Sequence, residues 1–178
     1  VKTLCDRLLG HQGRLLTLVG LPGVGKTRLA LAVAANLQTF HPDGVYFVPL
    51  APINDPDLVA SALVSALGLV ETNPKAPQSR LLAFLRQKEL LLLLDNFEQV
   101  IAAAPLVAEL LAGCPRLRVL ATSRERLHLR AEQRFWVPPL DLPSACALFV
   151  QRAQAVEPDF TLTAQNQTAT EKICLALD

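Results

Sequence analysis

Apolar positions along this chain come in blocks. RLLTLVG (14–20) is a short continuous apolar run, GVYFVPL (44–50) is a β-branched and aromatic one, ELLLLLDN (89–96) is apolar until its end, and LRVLATSR (117–124) reads as a fourth strand. Such runs are the pattern of strands buried on both faces. RFWVPPL (134–140) reads as a fifth strand. Between the runs the apolar period lengthens. Lys26 to Leu37 predicts a helix, with Leu29, Val33 and Leu37 at four-residue spacing. Asp55 and Pro56 supply a cap and a first-turn proline for a helix reaching Leu67. ETNPKAPQS (71–79) is predicted as a polar loop, RLLAFLRQ as a short helix, and Pro105 to Leu111 as a helix ended by Gly113. Strands alternating with helices predict an α/β fold with a parallel sheet flanked by helices.

After Pro138 and Pro139 the rhythm changes. Ala145, Leu148, Phe149 and Val156 form a helical stripe, Thr170 to Leu177 reads as helical, and no further strand is expected. The double proline therefore marks a predicted boundary between an α/β domain over residues 1–138 and a helical unit over 139–178.

Composition narrows the function classes. The 178 residues suit one domain with the beginning of a second, and with no Met the chain is expected to be part of a longer protein. Hydrophobic residues make up 51% but aromatics only 5%, so the core must be built from Leu, Val and Ala. Seventeen basic against sixteen acidic residues, net charge +1, give no global attraction to nucleic acid or an acidic membrane. Cys5, Cys114, Cys146 and Cys174 are scattered without a Cys-x-x-Cys pair, as expected for reduced, mostly buried thiols of a cytoplasmic protein. His11, His41 and His128 are too dispersed to suggest a metal site. The longest apolar runs fall short of the 18 or so residues of a membrane span.

GLPGVGKT (20–27) fits the phosphate-loop pattern G-x-x-x-x-G-K-[ST]. The chemistry asks for these residue types. Gly20, Gly23 and Gly25 let successive backbone N–H groups curve around a phosphate, and the following helix points its positive end at the same anion. Lys26 can reach the β- and γ-phosphates, and the Thr27 hydroxyl can hold Mg²⁺. Pro22 and Val24 within the loop and Arg28 just beyond it complete the expected phosphate-binding set. Asp95 ends the third strand at the carboxyl edge of the sheet, where it is expected to position the same Mg²⁺. Glu98 is a candidate general base, although an acid in a helix's first turn is favourable in its own right. Ser123 and Arg124 end the fourth strand. If that strand lies beside the first, Ser123 can bond water or phosphate and Arg124 can sense the γ-phosphate. Arg116, Arg118, Arg126, Arg130 and Arg134, mixed with Glu125 and Glu132, read as a solvated mixed-charge surface rather than a nucleic-acid patch.

GLPGVGKTRLALAVA, LLLLDNFEQV, LRVLATSRERLHL and VPPLDLPSACALF, in this order and spacing, resemble the nucleotide-binding domain of STAND-class signalling ATPases. These are relatives of NB-ARC domains, and the likeness is greatest to those of multidomain bacterial transcriptional regulators. The resemblance covers most of residues 14–156. It implies a P-loop NTPase core with sheet order 5-1-4-3-2 under a helical lid that residues 140–178 would begin. It also implies that Gly20 to Thr27 is the Walker A loop, Asp95 the Walker B acid and Arg124 the sensor arginine. ATP rather than GTP rests on this resemblance too. Two departures stand out. Asn96 occupies the place where many related ATPases carry a second acid, and the segments that would help bind adenine lie outside the sequence.

Three readings of function follow. The first is an ATP/ADP switch with slow Mg²⁺-dependent hydrolysis, acting on other domains of a longer chain, with nucleotide-dependent self-assembly, and with no membrane or direct nucleic-acid contact. The second is a turnover ATPase of AAA+-like motor or phosphotransferase type. The third is a nucleotide-binding module without catalysis.

Overall fold

The computed structural model describes residues 1–10, 13–69 and 77–176. His11 and most of the predicted 71–79 loop lie outside them. The chain divides into two compact units, Val1–Val137 and Pro138–Asp178.

The first unit is a five-stranded parallel sheet of order β2-β3-β4-β1-β5, the order the resemblance implies read from the other edge. Its strands are β1 (Leu15–Val19), β2 (Val45–Pro49), β3 (Leu91–Asp95), β4 (Arg118–Ser123) and β5 (Glu132–Trp136). The three central strands are the most buried, and β3 is buried along its whole length. The edge strands are half-covered, and each shows one large side chain to solvent, Phe47 on β2 and Trp136 on β5.

Helices cover both faces. On one side α1 (Lys2–Leu9) and α2 (Lys26–Leu37) bury Leu4, Leu8, Ala30, Val33 and Leu37 against Leu16, Leu18, Leu91, Leu93 and Leu120. On the other side α3 (Val59–Ala66), α4 (Pro77–Leu85) and α5 (Ala104–Gly113) bury Val59, Leu63, Leu81, Val107 and Leu110 against Leu92, Leu94 and Val119. Alternate residues of each central strand thus feed opposite layers, as the two-residue side-chain period requires.

Several expectations are corrected. The helix α1 was not foreseen; its sequence KTLCDRLL fully buries only Leu4 and Leu8, with Cys5 and Leu9 packing partly covered beside them. Pro77 to Ser79 are not loop but the first turn of α4, where a proline costs no hydrogen bond. The segment opening at Asp55 starts as a 3-10 turn, Pro56–Leu58, with Asp55 accepting from Asp57 N, before α3 begins. Gly113 closes α5 from within, and Cys114 caps it. The fifth strand starts two residues early and stops at Trp136, ahead of the prolines, with Val137 N still donating to Val19 O.

The second unit holds α6 (Leu142–Val156) and α7 (Gln167–Ala176), and no strand among the described residues. Asp141 caps α6 by accepting from Ser144 N, with Pro143 in the first turn. The stripe expected on α6 is not wholly inward: Phe149 meets Phe160 edge to face at 6.1 Å, but Val156 is 87% exposed. Leu177 lies outside the described residues.

Leu93 is fully buried in the central strand, whereas Leu31 on α2 is 46% exposed. Leu93→Ala should therefore cost about 3 kcal/mol of stability, and Leu31→Ala less than about 0.5 kcal/mol, when urea unfolding midpoints are compared.

Candidate nucleotide site

The site grows from the turn between β1 and α2. Gly23 and Gly25 hold φ of +79° and +90°, a region that costs an ordinary side chain strain. A Cβ added at either would meet nothing within 4 Å, so the conformation and not crowding calls for glycine there. Gly20 is constrained differently, since a Cβ would lie 2.9 Å from Val137 O. Pro22 and Gly23 are exposed at the loop's tip, and Val24 is half-buried beneath it. Lys26 opens α2 and folds back over the loop, its Nζ donating to Gly20 O and Leu21 O at 2.9 Å each. Burial pushes its ammonium down from the usual lysine range. Glu98 opposes that shift, Arg124 adds to it and Asp95 opposes it, so these three charges all act on the lysine.

Asp95 is the junction of the site. It ends β3, is 7% exposed, and its Oδ1 accepts from the Thr27 hydroxyl at 2.7 Å and the Thr122 hydroxyl at 2.5 Å. Thr122 Oγ1 accepts in turn from Asn96 N at 3.0 Å. Asp95 is therefore no helix cap; it ties the first turn of α2 to the ends of two neighbouring strands. Asn96 sits at φ 62°, ψ 46°, left-handed backbone that Asn tolerates better than most side chains. The 3-10 run Phe97–Ala103 follows it.

Glu98 and Arg124 meet beside this knot. Arg124 Nε lies 3.1 Å from Glu98 Oε1; the glutamate side chain is 9% exposed and the arginine 56%. Asn96 Nδ2 donates to the same oxygen at 3.4 Å, and Glu98 Oε2 is buried without a hydrogen-bond partner. Ser123 is fully buried, and its Oγ accepts from Glu125 N, so the hydroxyl serves the turn after β4. Arg28 is exposed on α2. The structure thus gathers Lys26, Thr27, Asp95, Glu98 and Arg124 at the carboxyl ends of β1, β3 and β4. Ser123 lies in the same strand end but inward, and Arg28 on the helix surface.

Sequence reasoning gives Thr122 no role. Its bond to Asp95 depends on register, since Leu94 pairs with Ala121 and the next residues fall side by side. The arginines about β4 also resolve individually. The Arg118 guanidinium donates to the carbonyls of Leu8, Leu9 and Gly10 and closes the end of α1, while Arg116 donates to Gln87 O. They are structural partners rather than a patch.

A family model described as an AAA domain matches residues 9–130. A protein of Mycobacterium tuberculosis classed provisionally as an HTH-type transcriptional regulator is 41% identical over 174 residues, 97% of this chain and 20% of that protein. The regulatory protein AfsR of Streptomyces griseus is 32% identical over 138 residues, 71% of this chain and 14% of its own length. The chain therefore spans about a fifth or less of these two relatives. Among solved structures, the ORC2 protein of Aeropyrum pernix in its ADPNP-ADP complexes superposes with a TM-score of 0.64 at 17% identity, over 86% of this chain and 50% of that one. A Signal Transduction ATPase with Numerous Domains (STAND) protein with a tetratricopeptide repeat sensor, from Pyrococcus horikoshii, gives a TM-score of 0.51 at 16% identity, over 97% of this chain and 27% of that one. At these identities the two structures speak for the fold alone. With its loop, its sheet order and a family match over most of its length, the chain belongs to the AAA domain family of P-loop NTPases.

Proposed function

We propose that this is an ATP/ADP-operated switch domain of STAND type within a longer regulatory protein. In this reading residues 1–138 hold the nucleotide and residues 139–178 begin a helical lid. The observation that carries the reading is the 2.7 Å bond between the Thr27 hydroxyl and Asp95 Oδ1, because it places both expected magnesium-holding groups together beside the glycine loop. The donor set fits: hydroxyl and carboxylate oxygens are the hard ligands Mg²⁺ takes, with nucleotide oxygens and water completing its shell. When bound, Mg²⁺ would neutralise charge on the β- and γ-phosphates.

This chain's own residues do the rest. The loop from Gly20 to Gly25, with Pro22 and Val24, presents backbone N–H groups to phosphate, and Lys26 moves from the loop carbonyls to the phosphate oxygens. Arg28 adds positive charge near the helix start, and Ser123 fixes the turn that carries Arg124. Glu98 is the group that accepts the proton from water, through the oxygen that has no partner. Arg124 is shared between Glu98 and the γ-phosphate. The ion pair keeps Arg124 on the other oxygen of Glu98, and Asn96 accepts no proton. Slow hydrolysis, suited to a timer, follows from both. Regulator relatives, each much longer than this chain, support a setting in which other domains of the same protein sense a stimulus and deliver the output. Self-assembly driven by nucleotide and a cytoplasmic location belong to the same reading. No helix among the described residues is long and apolar enough to cross a membrane.

Calorimetric titration of Mg²⁺-ADP into a chain carrying flanking sequence on both sides should show binding that Lys26→Ala weakens about tenfold or more, a loss of at least about 1.4 kcal/mol. Equal affinity of the variant would remove the lysine from the site. Turnover of ATP should run at about one per hour, the scale of unassisted P-loop hydrolysis. Glu98→Gln should slow it further while leaving ADP affinity intact. Sustained turnover of many per second, with no stimulus, would replace the switch by a motor or transferase. Thr122→Val, which keeps the shape and removes the hydroxyl, should cost about 1–3 kcal/mol in urea unfolding, and Thr122→Ser should restore most of it.

A further inference from the structure

One face of the edge strand β5 has no helix over it. Phe135 and Val137 join the apolar layer beneath α1 and α2, so Glu132, Arg134 and Trp136 point to the other side of the sheet. Helices occupy the connections after β1, β2 and β3, but residues 124–131, leading from β4 to β5, hold none. What remains is a groove of about 530 Å³ lined by Val19, Arg126, Glu132, Arg134 and Trp136. Trp136, the one tryptophan of the chain, is 57% exposed. One oxygen of Glu132 accepts from Leu127 N. Neither Arg126 nor Arg134 has an ion-pair partner among the described residues. An indole beside two unpaired guanidiniums suits an apolar side chain flanked by carboxylates.

The same unit carries such a group at its opposite edge. Residues 55–58, Asp-Pro-Asp-Leu, lie between β2 and α3. Asp55 and Asp57 are exposed, and Leu58 is 54% exposed. Asp55 Oδ1 accepts from Asp57 N, and neither carboxylate has an ion-pair partner among the described residues. Placement adds to the chemistry. The strands β2 and β5 are the two edges of the sheet. Val19 and Trp136 end their strands, and the turn Pro56–Leu58 packs on the 3-10 run that follows β3, so both features sit at the carboxyl end. Both also lie on the side of α3 to α5, where Val59 and Leu15 share one apolar layer. A copy shifted sideways along the sheet therefore brings its residues 55–58 to the groove of the next.

We propose that the groove receives Asp57 and Leu58 of a second copy and so joins copies head to tail. Leu58 lies against Trp136 and Val19, and the carboxylates of Asp55 and Asp57 face Arg126 and Arg134. This names the surfaces for the self-assembly in the reading above, but it does not rest on nucleotide binding. Because the two patches differ, each added copy leaves one groove and one acidic turn open, and growth continues past a pair.

The test is sedimentation of the 178-residue chain without nucleotide, so its outcome is separate from that of the ADP titration. Mean mass should rise beyond that of a pair between about 10 and about 300 µM, the range of small, transient contacts, and salt should reverse it. Trp136 emission should shift to shorter wavelength over the same range as the indole leaves water. The Arg126→Glu, Arg134→Glu double variant and the Asp57→Arg variant should each remain single. Mixed in equal amounts, they should form a pair and nothing larger, because one intact contact is left. Glu157→Arg, the same kind of charge reversal beside the exposed Val156, should assemble like the unmutated chain. An unmutated chain that stays single or stops at a pair would overturn the proposal. So would assembly that survives Asp57→Arg, is lost with Glu157→Arg, or fails to return in the mixture. The mass and emission of the unmutated chain decide the case where a variant does not fold.

Discussion

A carboxylate that leaves water must be answered by donors, and the answer given to Asp95 organises this fold. Two hydroxyls from different segments, Thr27 on α2 and Thr122 on β4, converge on one of its oxygens. Each such bond to a charged acceptor is worth about 1.5–3 kcal/mol, whereas the unpaired carboxylate would cost more than that. The bonds fix the first turn of α2 over the sheet and hold β3 and β4 in register at their carboxyl ends. Leu50 N donating to Asp95 O brings the end of β2 to the same residue. The glycine loop needs this anchorage, because left-handed turns have no ladder of their own to hold them.

The part of the fold that was legible in the sequence is the part where burial is complete. The strands β1 and β3 are buried on both faces, so they appear as nearly unbroken apolar runs, and α2 follows a loop whose glycines have few other reasons to occur together. Edges were read less well. Trp136 and Phe47 face solvent from β5 and β2, so hydropathy cannot tell where those strands begin. The strand β5 is set by pairing with β1, Leu15 beside Glu132 and Val19 beside Trp136, and no local pattern encodes that register. The short helix α1 escaped because three leucines, two of them adjacent, among five other residues leave almost no periodic signal. Its end is instead secured by Arg118, more than a hundred positions away.

The site divides along the same line. Lys26, Thr27 and Asp95 follow from motif chemistry, and the structure puts them together. Thr122 could not be read, because its role exists only through the pairing of β3 with β4. Ser123 and Thr122 alternate across β4, so one hydroxyl faces Asp95 while the other turns to Glu125 N. A sequence of two adjacent hydroxyls gives no hint of which is which until the face is known.

Asn96 gains a meaning that composition alone withheld. As a missing acid it is a loss of basicity; as a residue at φ 62° it is a fit to backbone that disfavours most side chains. The left-handed turn directs the chain so that Glu98, two residues on, comes back beside β4 and within 3.1 Å of Arg124. An acid at position 96 would bring a second negative charge beside Asp95 with no arginine of its own. The amide instead donates to Glu98 and adds none. The turn therefore exchanges an acid next to Asp95 for one placed two residues later and already ion-paired. In the proposed switch, Glu98 can turn to water only once its bond to Arg124 loosens. Loosening of that bond is a conformational requirement set before any chemistry, and its energy is borne by whatever charge draws the guanidinium away.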